Sequence, residues 1–248
     1  PTNLRALWAG MHEAGHGLTY QGTEPALVRS PLYGNASLGL GESQSRTWEN
    51  LVGRSLPFWR GRLPELQRIF PQLARVELET WYRGINRVAP GLIRVDADEV
   101  TYSLHIILRF ELEQELVAGT LALDDLPEAW NAKMSELLGV DVPDDARGVL
   151  QDVHWTRAAY GYFPTYALGN VLSVQIWRAV EEELPDLDAQ LEAGEFGPLY
   201  ESLRQRIYRH GRKFTPVETL ERAIGATEID PQPYLAYLRA KVAGLQPA

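Results

Sequence analysis

Apolar residues recur at helical spacing along almost the whole chain. In the first segment Leu4, Leu7, Met11 and Leu18 fall on one side of a helix, and this period is typical of a helix with one buried face. The same period returns in later segments that Pro and Gly separate. The pattern predicts helices at about residues 4–21, 42–54, 56–70, 73–88, 96–116, 127–138, 171–183, 196–211, 216–224 and 230–242.

One short segment departs from this helical pattern. Residues 92–95 include Ile93 and Val95, whose branched side chains favour extended backbone, so we expect a very short β segment there. Residues 22–41 are rich in Pro and Gly and predict a connector. Since no linker or internal repeat divides the chain, we expect one mainly α domain over residues 1–248.

The composition excludes several classes of protein. The absence of cysteine excludes disulfides, thiolate metal sites and a cysteine nucleophile. A net charge of −9 argues against nucleic-acid binding, and no apolar run reaches the roughly 18 residues of a membrane span. We therefore expect neither nucleic-acid nor membrane partners. Because there is no signal peptide, we expect a cytoplasmic protein.

An H-E-x-x-H motif stands in the first predicted helix. Residues four apart share one helix face, so the imidazoles of His12 and His16 can reach one metal ion. Glu13 lies between them and is placed to act as the general base on a water molecule. The alternative is two histidines on a helix surface with no metal.

A hydrolytic zinc site needs a third protein ligand and one open position. The continuation typical of metzincins is missing after His16, so a Glu from a later helix is expected. Glu42 is the best-placed candidate, while Glu24 and Glu49 stay open as alternatives. Glu42 could also serve only to complement a helix dipole.

Three further blocks resemble a known family. They begin at Glu42 (E-S-Q-S-R-T-W-E-N), at Ile93 (I-R-V-D-A-D) and at Gly148 (G-V-L-Q-D-V-H-W). Together with the H-E-x-x-H motif, and in this order, they are similar to the signature blocks of the carboxypeptidase Taq family of metallocarboxypeptidases. The resemblance implies a helical, gluzincin-like zinc-peptidase fold.

The resemblance also implies an activity and a set of site residues. It implies release of single residues from the C-terminus of peptide substrates, with His12, His16 and Glu42 holding one zinc ion and Glu13 as the base. Co²⁺ and Mn²⁺ are alternatives, because two His and one Glu suit several divalent ions. Arg94 would bind the terminal carboxylate of the substrate through its planar guanidinium. The alternative is an ion pair of Arg94 with an acidic residue in 96–99.

The third block adds residues to the implied substrate site. His154 would line the cleft and donate a hydrogen bond to the carbonyl oxygen that becomes negatively charged. Gln151 and Asp152 would support substrate binding and orient a ligand histidine. Tyr162 and Tyr166 lie in a G-Y-F-P-T-Y run that also resembles the family, and either hydroxyl could face the oxyanion. The alternative for these aromatic residues is a place in the core.

The histidine of the long central helix is interpreted differently. His105 is followed by Arg109 and Glu113 at intervals of four residues. This spacing favours a ladder of polar side chains along one helix face, with a structural role.

Two departures from the family bear on function. Gly41 stands where the family usually has His, and the family's N-terminal H-P-F and D-x-R-x-T blocks are missing. We therefore expect the catalytic C-terminal half of an architecture about twice as long. The alternatives are a non-enzymatic metal-binding or peptide-binding scaffold, and an endopeptidase or aminopeptidase with an open groove.

A half architecture would leave apolar surface uncovered, and such surface usually finds a partner. We therefore expect a homodimer, or a complex with a complementary N-terminal half. The candidates for this surface are Trp8, Phe58, Trp59, Phe70 and Trp81.

Overall fold

Helices make up the regular structure in a computed structural model that describes residues 4–245. The eleven α-helices of these residues are α1 Arg5–Gly22, α2 Leu38–Arg46, α3 Leu56–Ile69, α4 Leu78–Ile85, α5 Tyr102–Ala118, α6 Leu126–Leu138, α7 Pro164–Glu183, α8 Leu187–Ala193, α9 Gly197–Arg206, α10 Pro216–Ile224 and α11 Gln232–Leu245. A π-helical segment, Thr47–Val52, continues α2. Within these residues none of the helices has the length and hydropathy that a membrane crossing requires.

The mainly α fold is confirmed, and several helices match the predicted bounds closely. In α10 the sequence sets the start, because the Thr215 hydroxyl and the Glu218 carboxylate form a capping box with Pro at the first turn. Several elements differ from the prediction. The second helix begins four residues early at Leu38, and α7 begins at Pro164 rather than at 171. The helices α4 and α5 begin five and six residues late, α9 ends five residues early at Arg206, and α8 was not expected.

The predicted β segment at residues 92–95 is wrong. A 3-10 turn, Arg94–Asp96, occupies its second half, and the structure contains no strand within residues 4–245. Side chains far along the sequence fix this backbone instead, since the Arg94 N–H donates to Gln151 Oε1 at 2.9 Å. A tertiary contact here outweighs the β propensity of two branched residues.

The chain divides into two compact units. The first comprises residues 1–86 and 168–248, and the second comprises residues 87–167. Each unit has its own buried apolar cluster, and each is described separately below. The single domain predicted over residues 1–248 stays a prediction.

In the first unit an aromatic cluster holds α1, α3 and α4 together. Its buried members are Trp59, Leu63, Trp81 and Ile85. Trp59 and Trp81 are only 2% and 7% exposed, so the expectation that they form uncovered surface is wrong. They bury each other, with ring centroids 4.8 Å apart. Trp8 and Phe58 are half-buried against the same cluster, and Phe70 is exposed.

In the second unit α5 packs against α6. The main buried cluster consists of Leu108, Leu112, Leu126, Trp130, Met134 and Leu138. A smaller cluster of Tyr102, Ile106 and Phe163 lies beside it. This packing fixes the face of α5 that carries Arg109, which is fully buried.

Candidate metal centre

The first helix carries both histidines of the H-E-x-x-H motif on one side. His12 and His16 are one turn apart in α1, and their ring centroids are 4.9 Å apart at an interplanar angle of 82°. Both side chains are partly exposed. The predicted pairing of the two imidazoles on one helix face is therefore what the structure shows.

Glu42 of α2 completes a group of three potential ligands. Its Oε2 lies 3.6 Å from His12 Nε2, and its Oε1 lies 3.9 Å from His16 Nε2. The ligand atoms of the three residues all lie within 4.8 Å of one another. Ligand atoms around one tetrahedral ion, at bonds of about 2.0–2.2 Å, are roughly 3.4 Å apart. The two carboxylate–imidazole separations of 3.6 and 3.9 Å lie near this value, and two imidazoles and one carboxylate are ligand types that a zinc-type ion takes.

The two alternative glutamates have other partners. Glu24 lies 3.8 Å from Arg209 Nη2 and 3.6 Å from Lys213 Nζ. Glu49 also contacts His12, but on the other ring nitrogen from the one that faces Glu42. Its Oε2 lies 3.0 Å from His12 Nδ1. Among the three carboxylates considered from the sequence, only Glu42 belongs to the group of three ligands within residues 4–245.

Small residues surround Glu42 and allow close packing. A Cβ atom added to Gly169 of α7 would lie 2.5 Å from Glu42 Cβ. A Cβ at Gly41 would lie 2.8 Å from Asn35 Nδ2. The space beside the residue where the family usually has His is thus filled here by the amide of Asn35.

Glu13 projects to the exposed side of α1, next to the ligands. Its charge acts on His16, and it favours the protonated imidazole. Burial has the larger effect and, despite the attraction of Glu42 and Glu13, the pKa of His16 lies below its ordinary value. A neutral imidazole is the form that binds a metal.

The second unit brings together Arg94, Asp152 and Arg109. Asp152 Oδ1 accepts from Arg94 Nη2 at 2.7 Å, and Asp152 Oδ2 accepts from Arg109 Nε at 2.7 Å. Arg94 Nη1 also donates to the Tyr102 hydroxyl at 2.9 Å. Burial alone would raise the pKa of Asp152, but the two guanidinium groups outweigh it and hold this pKa below its ordinary value. The suggested ion pair of Arg94 with residues 96–99 is replaced by the pair with Asp152.

Two expectations about this region need correction. Asp152 was expected to orient a ligand histidine, yet its hydrogen bonds within residues 4–245 go to arginines. The ladder predicted along α5 is also absent from the described contacts. Arg109 donates to the backbone carbonyl of His105 and not to its ring, and Glu113 instead accepts from Trp155 Nε1 at 2.7 Å.

His154, Tyr162 and Tyr166 lie together in the second unit. His154 Nε2 and the Tyr166 hydroxyl are 3.1 Å apart, and the rings of His154 and Tyr162 have centroids 5.3 Å apart. Partial burial, aided by Arg94, lowers the pKa of His154. The imidazole is therefore neutral at pH 7 and can donate or accept a hydrogen bond.

The contacts of Glu49, Arg109 and Tyr102 were not expected from the sequence. Glu49 stands seven residues after Glu42 in the second block, and this interval returns to nearly the same helix face, which could have indicated a shared contact. Nothing local indicates the pairing of Arg109 with a carboxylate 43 positions away. Long-range contacts of this kind are visible only in the folded chain.

The fold and this group of side chains define the class: a helical protein in which the histidines of an H-E-x-x-H motif meet a glutamate of the next helix. Within that class, the chain belongs to the carboxypeptidase Taq (M32) metallopeptidase family, whose sequence model matches residues 2–242. The resemblance of the four sequence blocks is confirmed. Membership of a metallopeptidase family implies a divalent metal ion, for which His12, His16 and Glu42 form a possible site.

Individual relatives agree with this assignment. The chain is 46% identical over 239 residues to thermostable carboxypeptidase 1 of Thermus thermophilus, covering 96% of this chain and 47% of that protein. It is 39% identical over 241 residues to carboxypeptidase 1 of Bacillus subtilis, covering 97% and 48%. The solved structure of the M32 carboxypeptidase from Deinococcus radiodurans R1 matches with a TM-score of 0.93 and 49% identity, covering 97% and 48%.

The chain thus spans about half the length of the curated relatives it matches. The metal-centre residues and the buried arginine pair lie inside the matched part, since the family match runs from residue 2 to residue 242.

Proposed function

We propose that this chain carries the metal centre of a zinc metallocarboxypeptidase that releases single residues from the C-terminus of peptides. The observation that supports this most directly is the meeting of His12, His16 and Glu42 in a chain of the M32 family. Two imidazoles and one carboxylate leave a coordination position open, as hydrolytic zinc sites require. One zinc ion per chain is proposed, and cobalt or manganese suits the same ligands.

Glu13 is proposed as the general base and acid. A bound metal ion would lower the pKa of a water molecule and polarise the scissile carbonyl. Glu13 follows His12 directly in α1 and has an exposed carboxylate. It would take the proton from the attacking water and then deliver it to the nitrogen of the leaving amino acid. Both protons of the water are thus accounted for, since one stays on the new carboxyl group until it ionises.

His154, Tyr162 and Tyr166 are proposed as hydrogen-bond donors to the substrate carbonyl oxygen. Negative charge develops on this oxygen as the tetrahedral intermediate forms, and a donor aimed at it contributes about 3 kcal/mol in enzymes of other classes. The contact between His154 Nε2 and the Tyr166 hydroxyl supports a shared donor pair. Partial burial lowers the pKa of His154, and the neutral imidazole still keeps one N–H that can donate.

Arg94 is proposed to bind the terminal carboxylate of the substrate. Three of its N–H groups already donate hydrogen bonds. Those on Nε and Nη2 donate to Asp152, and one on Nη1 donates to the Tyr102 hydroxyl. A guanidinium has five N–H groups, so two remain for a carboxylate. Gln151 and Asp152 would therefore act on substrate binding through Arg94, by fixing its backbone and its side chain.

The test is the pattern of peptide cleavage. The wild-type chain and Glu13→Gln are incubated with a peptide and with its C-terminal amide, and products are identified by mass. Stepwise loss of C-terminal residues from the free acid, slow loss from the amide, and no loss with Glu13→Gln are expected. Internal or N-terminal cuts would favour an endopeptidase or an aminopeptidase. No cleavage by a zinc-loaded chain would favour the binding scaffold and contradict the proposal.

The association state is proposed from the sequence expectations alone. We propose a homodimer, or a complex with a chain that carries the remaining half of the family's length. We also propose a cytoplasmic location. Light scattering of the purified chain at micromolar concentration checks the first of these. A mass of twice the 27.9 kDa of one chain is expected, and a monomer would contradict the homodimer.

A further inference from the structure

We propose that Glu49 is a positioning residue that holds His12 for metal binding, an inference that rests on the metal centre proposed above. Glu49 is 9% exposed and lies in the π-helical segment Thr47–Val52. Its Oε2 is 3.0 Å from Nδ1 of His12. Nothing in the H-E-x-x-H motif itself supplies this contact.

The contact selects one tautomer of the imidazole. A carboxylate can only accept a hydrogen bond, so Nδ1 of His12 must carry the proton and donate it to Glu49. The other nitrogen, Nε2, then keeps its lone pair, and this is the nitrogen that faces Glu42 Oε2 at 3.6 Å. The ring of His12 thus lies between two carboxylates, one at the metal position and one behind it. A carboxylate behind a ligand histidine orients the ring and raises its basicity.

Two arginines hold Glu49 in this place. Arg46 Nη1 donates to Glu49 Oε2 at 2.9 Å, and Arg54 Nη2 lies 3.8 Å from Glu49 Oε1. Arg54 is itself anchored, since its Nη1 donates to the carbonyl of Ile85 at 2.7 Å and its guanidinium stacks on Trp8 at 4.3 Å. The carboxylate therefore has little freedom to turn away from His12.

The position of Glu49 in the backbone connects it to the third ligand. The π-helical segment follows α2 without a break, so Glu42 and Glu49 belong to one continuous helical element. Glu42 lies in the α-helical part and Glu49 in the wider π-helical turn that follows, and both carboxylates reach His12. π-Helical turns are rare in proteins, and those that occur are often found at functional sites. One helical element thus supplies both Glu42, at the proposed metal position, and Glu49, which orients the imidazole ring of His12.

His16 provides an internal contrast. Its Nε2 faces Glu42 at 3.9 Å, but within residues 4–245 no second carboxylate contacts its ring. Removal of Glu49 should therefore change His12 and leave His16 unaffected.

The first readout is zinc affinity. Glu49→Ala removes the acceptor, Glu49→Gln keeps a neutral acceptor, and both are compared with the wild type by competition with a chelating indicator. Loss of such a partner typically lowers metal affinity about 10–100-fold, and we expect this range for Glu49→Ala and a smaller fall for Glu49→Gln. The matched control is Glu113→Gln, another carboxylate buried on its helix with two hydrogen bonds, at which zinc affinity should not change.

The second readout is the tautomer of His12 in the metal-free protein, measured by long-range ¹H–¹⁵N NMR at pH 8. The wild type and Glu49→Gln should show the Nδ1–H form, and Glu49→Ala should show a mixture dominated by Nε2–H, with His16 unchanged.

Unchanged zinc affinity in folded Glu49→Ala, or a fall in affinity with an unchanged His12 tautomer, would overturn the proposal. If Glu49→Ala does not fold, two other results together would contradict the proposal. These are an unchanged zinc affinity in Glu49→Gln and a wild type whose His12 carries its proton on Nε2. A wild type that binds no zinc would instead refute the metal centre, and the tautomer would still report on Glu49.

Discussion

Gly15 of α1 lies directly against Gln44 of α2. A Cβ atom at Gly15 would stand 2.6 Å from the carbonyl oxygen of Gln44 and 2.7 Å from Cα of Ser45. Both are backbone atoms and cannot move aside as a flexible side chain could. The missing side chain inside the H-E-x-x-H motif thus lets the helix that carries the two histidines approach the helix that carries Glu42.

Gly15→Ala should therefore weaken the metal centre. The added methyl group must push α1 away from α2, and overpacking of this kind costs about 1–3 kcal/mol of stability. We expect a lower midpoint of thermal unfolding for the metal-free protein and a weaker zinc affinity. Gly10→Ala in the same helix is the control, because a Cβ there meets no described atom within 4 Å. It should stabilise the chain by up to about 1 kcal/mol, as Ala does for Gly in a helix.

Asp152→Asn should strongly destabilise the second unit. Arg109 is fully buried, and its charge is balanced by Asp152. Breaking a buried ion pair from one side costs about 3–5 kcal/mol, because a charge is left without compensation. The free energy of unfolding from urea denaturation measures this loss.

The control for that experiment is an exposed ion pair of the same residue types. Asp144 and Arg147 form such a pair at the surface, and exposed pairs contribute little. Asp144→Asn should leave the urea midpoint close to that of the wild type. A small effect for Asp152→Asn as well would show that the buried arginine cluster is not a stabilising centre of this unit.

His105 should make stability depend on pH. Its ring is fully buried, neither ring nitrogen has a hydrogen-bond partner among the described residues, and burial lowers its pKa from 6.5 to about 4. The charges of Arg109 and Arg94 contribute to this lowering, while Asp152 and Asp98 oppose it. The unfolded chain binds the proton first, so the stabilising contribution is complete above pH 6.5 and is lost as the pH falls towards 4.

The expected loss is up to roughly 3 kcal/mol between pH 7 and pH 4, at about 1.4 kcal/mol for each unit of pKa difference. The measurement is the unfolding free energy of the metal-free wild type minus that of His105→Gln across this range. The difference should fall on acidification. A difference that stays constant between pH 7 and pH 4 would mean that His105 does not titrate abnormally.

The sequence predicts local features of the site well, since they depend on helix geometry alone. His12 and His16 share a face because they are four residues apart. The choice of Glu42 needed the family blocks, because spacing could not exclude Glu24 or Glu49. Glu24 pairs with residues nearly 190 positions away, and no local pattern reports such a contact.

Errors in the predicted fold have the same origin. Residues 38–41 include two glycines and were expected to form a connector, yet Ser37 caps a helix there through its hydroxyl and Leu40 N–H. At Gly41 close packing removes the space that a side chain would need, because a Cβ there would lie 2.8 Å from Asn35 Nδ2. The wrong β segment likewise reflects a distant contact, from Gln151 and Asp152 to Arg94.

The most direct test of the proposed metal centre is the metal content of the wild type and Glu42→Gln after equilibration with zinc and removal of free ions. Elemental analysis should find close to one zinc ion per wild-type chain, held by His12, His16 and Glu42. Glu42→Gln should retain far less, with its helical circular dichroism unchanged. A folded wild-type chain without metal, or full zinc occupancy in Glu42→Gln, would show that these three residues do not form a metal site.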